Sequence, residues 1–249
     1  MVTVENLSVT YRGENGEVDA LHDVSLALQE GASCAVIGPS GCGKSTLLFV
    51  LAGLNSQWSG RAVISGREPT PGRQEIALIL QDYGLLPWKT VWQNTVLGLK
   101  IRGVSSQDLQ TRGEKVLRQM GIWELHSLYP AQLSGGQRQR VGIARSLSLE
   151  PDILLMDEPF SSLDALTRER LQDLVLEIWK RRSLTMVLVT HSIEEAVFLG
   201  ERIIVLSPRP GRVVKAIDNP LAGDAGARKD ARFHSLATEI RRTLVEGMQ

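Results

Sequence analysis

Gly38-Pro39-Ser40-Gly41-Cys42-Gly43-Lys44-Ser45 decides how this chain is read. The stretch has the form G-x-x-x-x-G-K-S, follows the apolar run Cys34 to Ile37 and opens the helix-like run Thr46 to Leu51. A strand, a glycine loop and a helix in that order are what a phosphate-cradling backbone needs. The glycines let the loop curl with its N–H groups inward, and the helix start adds unpaired N–H groups and a positive dipole end. Lys44 can reach β- and γ-phosphates as a point charge, and Ser45 places a hydroxyl where Mg²⁺ would bridge them. The stretch from Gly38 to Thr46 therefore predicts a nucleoside triphosphate site.

Composition narrows what surrounds the loop. With 249 residues, 43% of them hydrophobic, the chain can bury a large core as one domain, with or without a subdomain. Lys plus Arg equals Asp plus Glu at 28 each, so no overall field favours nucleic acid or an acidic membrane. Cys34 and Cys42 read as reduced thiols, which fits a cytosolic compartment. Because Cys42 lies inside the loop, its alkylation is expected to block nucleotide binding. The first residues lack the basic and apolar regions of a secretory signal, and no apolar run approaches the ~20 residues of a membrane span. Any membrane connection is then expected through a partner.

Patterning along the chain changes texture twice. Val2 to Thr10, Leu21 to Leu28, Arg61 to Ser65 and Ile76 to Leu80 read as strands, with a turn over Gly13 to Glu17. After Gln81 the texture becomes helical. Thr90 can cap a run through Ile101, Ser105 or Ser106 one through Met120 despite Gly113, and a third follows Gly135-Gly136 to about Leu149. Alternation then returns. Strands are predicted at Asp152 to Met156, Thr185 to Thr190 and Ile203 to Leu206, and helices at Thr167 to Arg181 and Ile193 to Leu199. A helical block of about 60 residues thus interrupts an α/β core with a parallel sheet. Phe233, Leu236, Ile240 and Leu244 are spaced for a docked amphipathic helix.

Two further motifs carry chemistry. Ile153 to Pro159 is an apolar strand ending in Asp157-Glu158, and strand carboxyl ends are where α/β sheets place ligands. Asp157 is positioned to hold Mg²⁺, and Glu158 to polarise a water aimed at the γ-phosphorus. Pro159 is expected to keep Glu158 extended. Leu133-Ser134-Gly135-Gly136-Gln137 then places small residues at a second helix start, another anion nest. Two such nests about 90 residues apart make sense if the second serves a nucleotide held by another copy.

With these motifs in place, the sequence resembles the ATP-binding cassette (ABC) ATPases, whose signature is Leu-Ser-Gly-Gly-Gln. The resemblance covers nearly the whole chain. It implies a P-loop NTPase (RecA-like) α/β core with an antiparallel β subdomain and an inserted α-helical subdomain. Residues 1–83 and 150–249 would form the core and residues 84–149 the helical part. By the same resemblance Tyr11 stacks on adenine, although a strand aromatic can also simply pack. Gln81 matches the glutamine that contacts Mg²⁺ or water. Ser161-Ser162-Leu163-Asp164 matches the loop that crosses to a partner subunit, with Asp164 as its carboxylate; taken alone it reads as a helix cap. His191 matches the switch histidine at the γ-phosphate. Together they imply a head-to-tail dimer closing on two ATP molecules, with Lys44, Glu158 and His191 acting on the phosphoryl group.

The stretch Asp82 to Trp92 bears on the kind of cassette. Trp88 and Trp92, four apart, either cover one apolar patch that seats a permease or pack internally. Leu85-Leu86-Pro87-Trp88-Lys89-Thr90-Val91 and Ser207-Pro208-Arg209-Pro210-Gly211-Arg212 resemble the importers of nitrate, sulfonates and taurine. That resemblance implies an ATP-hydrolysing subunit at the cytoplasmic face of the membrane. Its expected partners are permease subunits and an extracytoplasmic solute-binding protein, and its cargo a small anionic solute. An exporter subunit, or a soluble ABC ATPase outside transport, shares the same catalytic motifs.

Overall fold

Strand-forming alternation in the first third produces β1 (Val2–Gly13), β2 (Gly16–Leu28) and β3 (Ser33–Ile37). After the glycine loop come α1 (Lys44–Leu51), β4 (Ser59–Ile64) and β5 (Ile76–Ile79). The helical block contains α2 (Val91–Thr95), α3 (Leu97–Ile101), α4 (Ser106–Gln119) and α5 (Gly135–Ser148). The last part runs β6 (Ile153–Asp157), α6 (Ala165–Arg182), β7 (Thr185–Thr190), α7 (Ile193–Leu199), β8 (Arg202–Leu206), β9 (Val213–Asp218) and α8 (Ala231–Glu246). This computed structural model describes residues 1–13, 16–161 and 163–247. Glu14 and Asn15 of the expected turn, and Ser162, lie outside the described residues.

Two sheets result. One is antiparallel, in the order β2-β1-β4; the other has six strands in the order β5-β6-β7-β3-β8-β9. Its first five strands are parallel, and β9 returns antiparallel to β8. Every residue of β3, β6 and β7 is buried, which is why these strands read as unbroken apolar runs. Their side chains alternate between two cores. Ala35, Ile37, Leu154, Met156, Met186 and Leu188 face a core shared with α5, α6, α7 and α8. Cys34, Val36, Ile153, Leu155, Val187 and Val189 face one shared with α1 and the antiparallel sheet. The glycine loop and the Asp157 end of β6 therefore meet at the carboxyl edge of the parallel sheet.

The structure departs from the sequence pattern in several places. The run capped by Thr90 is interrupted at Val96 (φ −92°, ψ 4°), which divides α2 from α3. Gly113 does not weaken α4. A Cβ there would lie 2.6 Å from Val96 and 2.7 Å from Trp92, so its absence permits the close crossing of α4 over α2. Trp88 and Trp92 do not share a patch, because Trp88 precedes the cap at Thr90 while Trp92 is the second residue of the helix. Trp88 is 69% exposed, whereas Trp92 packs edge-on against Trp123 with ring centroids 6.1 Å apart. β9 was not anticipated. Only Ile217 of that strand is buried, leaving no apolar alternation to read. The tail docks as expected, with Phe233 and Ile240 buried and Leu236 and Leu244 packed beside them. Among the described residues no helix is long and apolar enough to cross a membrane.

Candidate functional site

Gly43 is the N-cap of α1, with φ 102° and no side chain capping the helix. A Cβ at Gly43 would lie 2.6 Å from the Ala20 carbonyl oxygen, so both torsion and space require glycine. The first-turn N–H groups are thereby left to a ligand, with no acid in that turn to repel an anion. Lys44 is 5% exposed, and its Nζ donates to the carbonyls of Gly38 (2.9 Å) and Pro39 (3.0 Å). The loop thus carries a full positive charge oriented by its own backbone. Cys42 is less accessible than an open loop thiol, which bears on how fast it is alkylated. Its side chain is fully buried, and burial raises its thiol pKa against the opposing charge of Lys44. A buried thiol held protonated is a poor nucleophile.

Ser45 Oγ donates to Asp157 Oδ1 at 3.0 Å. Burial, with the charge of Glu158 adding to it, pushes the Asp157 carboxyl above its usual range; the Ser45 hydrogen bond and Lys44 oppose the shift. Two hard oxygen donors side by side fit Mg²⁺, which takes one or two protein oxygens and completes its shell with phosphates and water. Gln81, exposed just beyond β5, lines the same cleft.

Glu158 differs from the sequence expectation. It is not extended but has φ 44°, in the left-handed region. Its N–H donates to the Val189 carbonyl at 2.9 Å, and its carbonyl accepts from Ser161 Oγ at 3.0 Å. These bonds hold a reversal that costs about 1–3 kcal/mol in isolation, strain of a kind that gathers at functional sites. The turn brings Glu158 Oε2 to 2.9 Å from His191 Nδ1. Sequence reading names both residues but not this contact, because 33 positions separate them.

Tyr11 is 39% exposed; its hydroxyl donates to Thr46 Oγ1 and accepts from Asn55 Nδ2, each at 3.3 Å. A cleft of about 410 Å³ runs from Tyr11 past Ser40, Gly41, Gly43, Lys44, Ser45 and Thr46 to Gln81 and Glu158. Its wall adds Val18 and Ala20, which no motif had singled out, and Arg209, which the sequence marked only by its resemblance to importers and not as part of the site. Val18 could have been found from the hairpin, since register places it opposite Tyr11.

The second helix start is built differently. Ser134 Oγ accepts from Gln137 N at 3.3 Å and Gln137 Oε1 accepts from Ser134 N at 2.9 Å, a reciprocal capping box at the start of α5. Ser134, Gly135, Gly136 and Gln137 line a cleft of about 320 Å³ with Arg140, Leu163, Asp164 and Thr167. Asp164 caps α6, and hydrogen bonds from Thr167 hold its carboxyl below the usual range. The two clefts share no residue.

The ABC transporter family model matches residues 21–161. The taurine import ATP-binding protein TauB of Rhizobium johnstonii is 44% identical, over 98% of this chain and 96% of its own length. The aliphatic sulfonates import ATP-binding protein SsuB of Bacillus cereus is 39% identical, over 88% of this chain and 86% of its own. Among solved structures, a dimeric post-hydrolysis state of the ATP-binding cassette MJ0796 bound to ADP and Pi superimposes with a TM-score of 0.79. It is 32% identical and covers 88% of this chain and 98% of its own. A glycine loop opening α1, a strand ending in Asp157 with Glu158 just beyond it, and a second, side-chain-capped helix start at α5 thus sit on a matching fold. The chain belongs to the ABC transporter family, among its ATP-binding, ATP-hydrolysing cassettes.

Proposed function

We propose that this chain is the ATPase subunit of an ABC importer, closing head-to-tail on a second copy around two ATP molecules. In this reading each ATP lies between Gly38 to Thr46 of one copy and Ser134 to Gln137 of the other, and Asp164 crosses to the partner. The observation that supports the dimer is the separation of the two clefts, which have no residue in common. Residues 1–83 and 150–249 act as the core, and residues 84–149 carry the second cleft.

The residues divide the work. Lys44 and the first-turn N–H groups of α1 bind and orient the phosphates, and Tyr11 with Val18 and Ala20 receives the base. Ser45 and Asp157, with Gln81 nearby, would hold Mg²⁺, which when bound would neutralise phosphate charge. Glu158 orients and deprotonates the attacking water, a role worth about 10²–10⁴-fold. His191, bonded to Glu158, fixes that carboxylate and reaches toward the γ-phosphate. Binding of ATP drives closure only through its greater affinity for the closed dimer.

The relatives' names motivate the cargo: taurine, aliphatic sulfonates and nitrate are small and bear a compact anionic group. We assign this chain a solute of that class, taken up through a separate permease with a solute-binding protein, and a peripheral place on the membrane's cytoplasmic face. The test is co-purification with a permease encoded beside this chain, followed by ATPase measurement in lipid vesicles with taurine, an alkanesulfonate or nitrate and its binding protein. Stimulation by one of these with inward flux is the expected result; outward flux, or stimulation only by unrelated solutes, contradicts the reading.

A further inference from the structure

A side chain outside both clefts ties together the segments that carry the reactive groups. Arg168, on the first turns of α6, reaches back over the loop that follows Glu158. Its Nη2 donates to the Leu163 carbonyl at 2.8 Å and its Nε to the Phe160 carbonyl at 3.3 Å. The same Nε lies 3.9 Å from Oε1 of Glu195 on α7. Glu195 is 3% exposed, and its other oxygen accepts from Thr190 Oγ1 at 2.5 Å. Thr190 is the residue before His191, and its hydroxyl in turn accepts from the Ser192 N–H at 3.0 Å. One guanidinium thereby holds the Phe160 and Leu163 carbonyls, the latter just before Asp164, and, through Glu195 and Thr190, both sides of His191.

We propose that Arg168 is a positioning residue for hydrolysis, locking the Asp164 loop and the His191 segment into one unit. This rests on the roles of Glu158 and His191 proposed above. A planar fork with several donors suits two carbonyls and a carboxylate at once, which a lysine ammonium cannot match. Burial raises the Glu195 carboxyl, with the Thr190 hydrogen bond and the Arg168 charge opposing. Without Arg168 the carboxylate would lose its permanently charged neighbour, and the His191 backbone an anchor. Movement of Asp164 at a partner's cleft would then cease to be felt at His191.

The test is steady-state ATPase of the full chain carrying Arg168→Met or Arg168→Lys, each with and without His191→Ala. Arg168→Met is expected to lower kcat about tenfold while KM for ATP stays within about twofold. Arg168→Lys is expected to recover only part of that loss. With His191→Ala already present, Arg168→Met should cost less than about twofold more, because both act through one group. An equal loss in both backgrounds, a rise in KM with kcat unchanged, or no loss at all overturns the proposal. Should Arg168→Met fail to fold, the isosteric Glu195→Gln takes its place in the same comparison. Glu158→Gln accompanies the series. If it is inactive while Arg168→Met is unimpaired, only the positioning role falls; if it retains full turnover, the site assignment and this proposal fall together.

Discussion

The starts of α1 and α5 are both glycine-rich and both free of acid, yet one is open and the other closed by its own side chains. At α1 the cap is Gly43, which has no side chain to cap the helix, and Lys44 is buried against the loop. At α5 the Ser134 hydroxyl and the Gln137 amide satisfy each other's backbone donors, on an exposed surface. An anion can bind the first without displacing a capping side chain. To bind the second it must compete with a capping box of ordinary worth, about 1 kcal/mol. Under the function proposed above, the difference makes α1 the place where a nucleotide would be bound first, and α5 the place that would recognise a nucleotide already held by another copy.

The contrast can be broken by substitution. The largest effect belongs to the α1 side: Glu158→Gln should cut turnover about 10²–10⁴-fold while ATP affinity holds, read by phosphate release beside equilibrium binding. Near wild-type turnover would remove Glu158 from the chemistry. Next, Lys44→Met should weaken ATP binding by monomers roughly ten- to a hundredfold, the worth of hydrogen bonds to a charged group. Ser134→Arg should leave monomer binding unchanged in the same assay. Equal losses from the two would erase the distinction between the helix starts.

Smaller effects sharpen the picture around the clefts. Gly113→Ala inserts a methyl group between Trp92 and Val96 and should cost about 1–3 kcal/mol in denaturant unfolding; an unchanged midpoint would mean that the α4–α2 crossing has room to give. Cys42, buried beneath the loop, should react with a thiol reagent far more slowly in the native chain than in urea. Fast native labelling would show that the loop opens spontaneously.

Much of this was legible in the sequence, for identifiable reasons. The phosphate loop, the apolar strand before Asp157 and the Ser134 start are local patterns, and local hydrogen bonding fixes them. Helix caps at Thr90 and Ser105 follow from the same short-range rules. What escaped depends on contacts distant in sequence. The Glu158 to His191 bond, the Arg168 bridge and the Arg209 wall each join segments that meet only through the parallel sheet. The left-handed Glu158 ran against its pre-proline preference because the Val189 and Ser161 bonds hold it. Trp88 and Trp92 parted because a four-residue spacing predicts a shared face only inside a helix, and Thr90 starts that helix between them.

The most direct test of the central claim mixes two inactive forms of the chain, one carrying Glu158→Gln and the other Ser134→Arg. If each ATP is clasped by α1 of one copy and α5 of the other, mixed dimers contain one site with both parts intact. Turnover should then rise well above that of either form alone. If mixing restores nothing although mixed dimers form, each subunit builds its whole site by itself and the account fails.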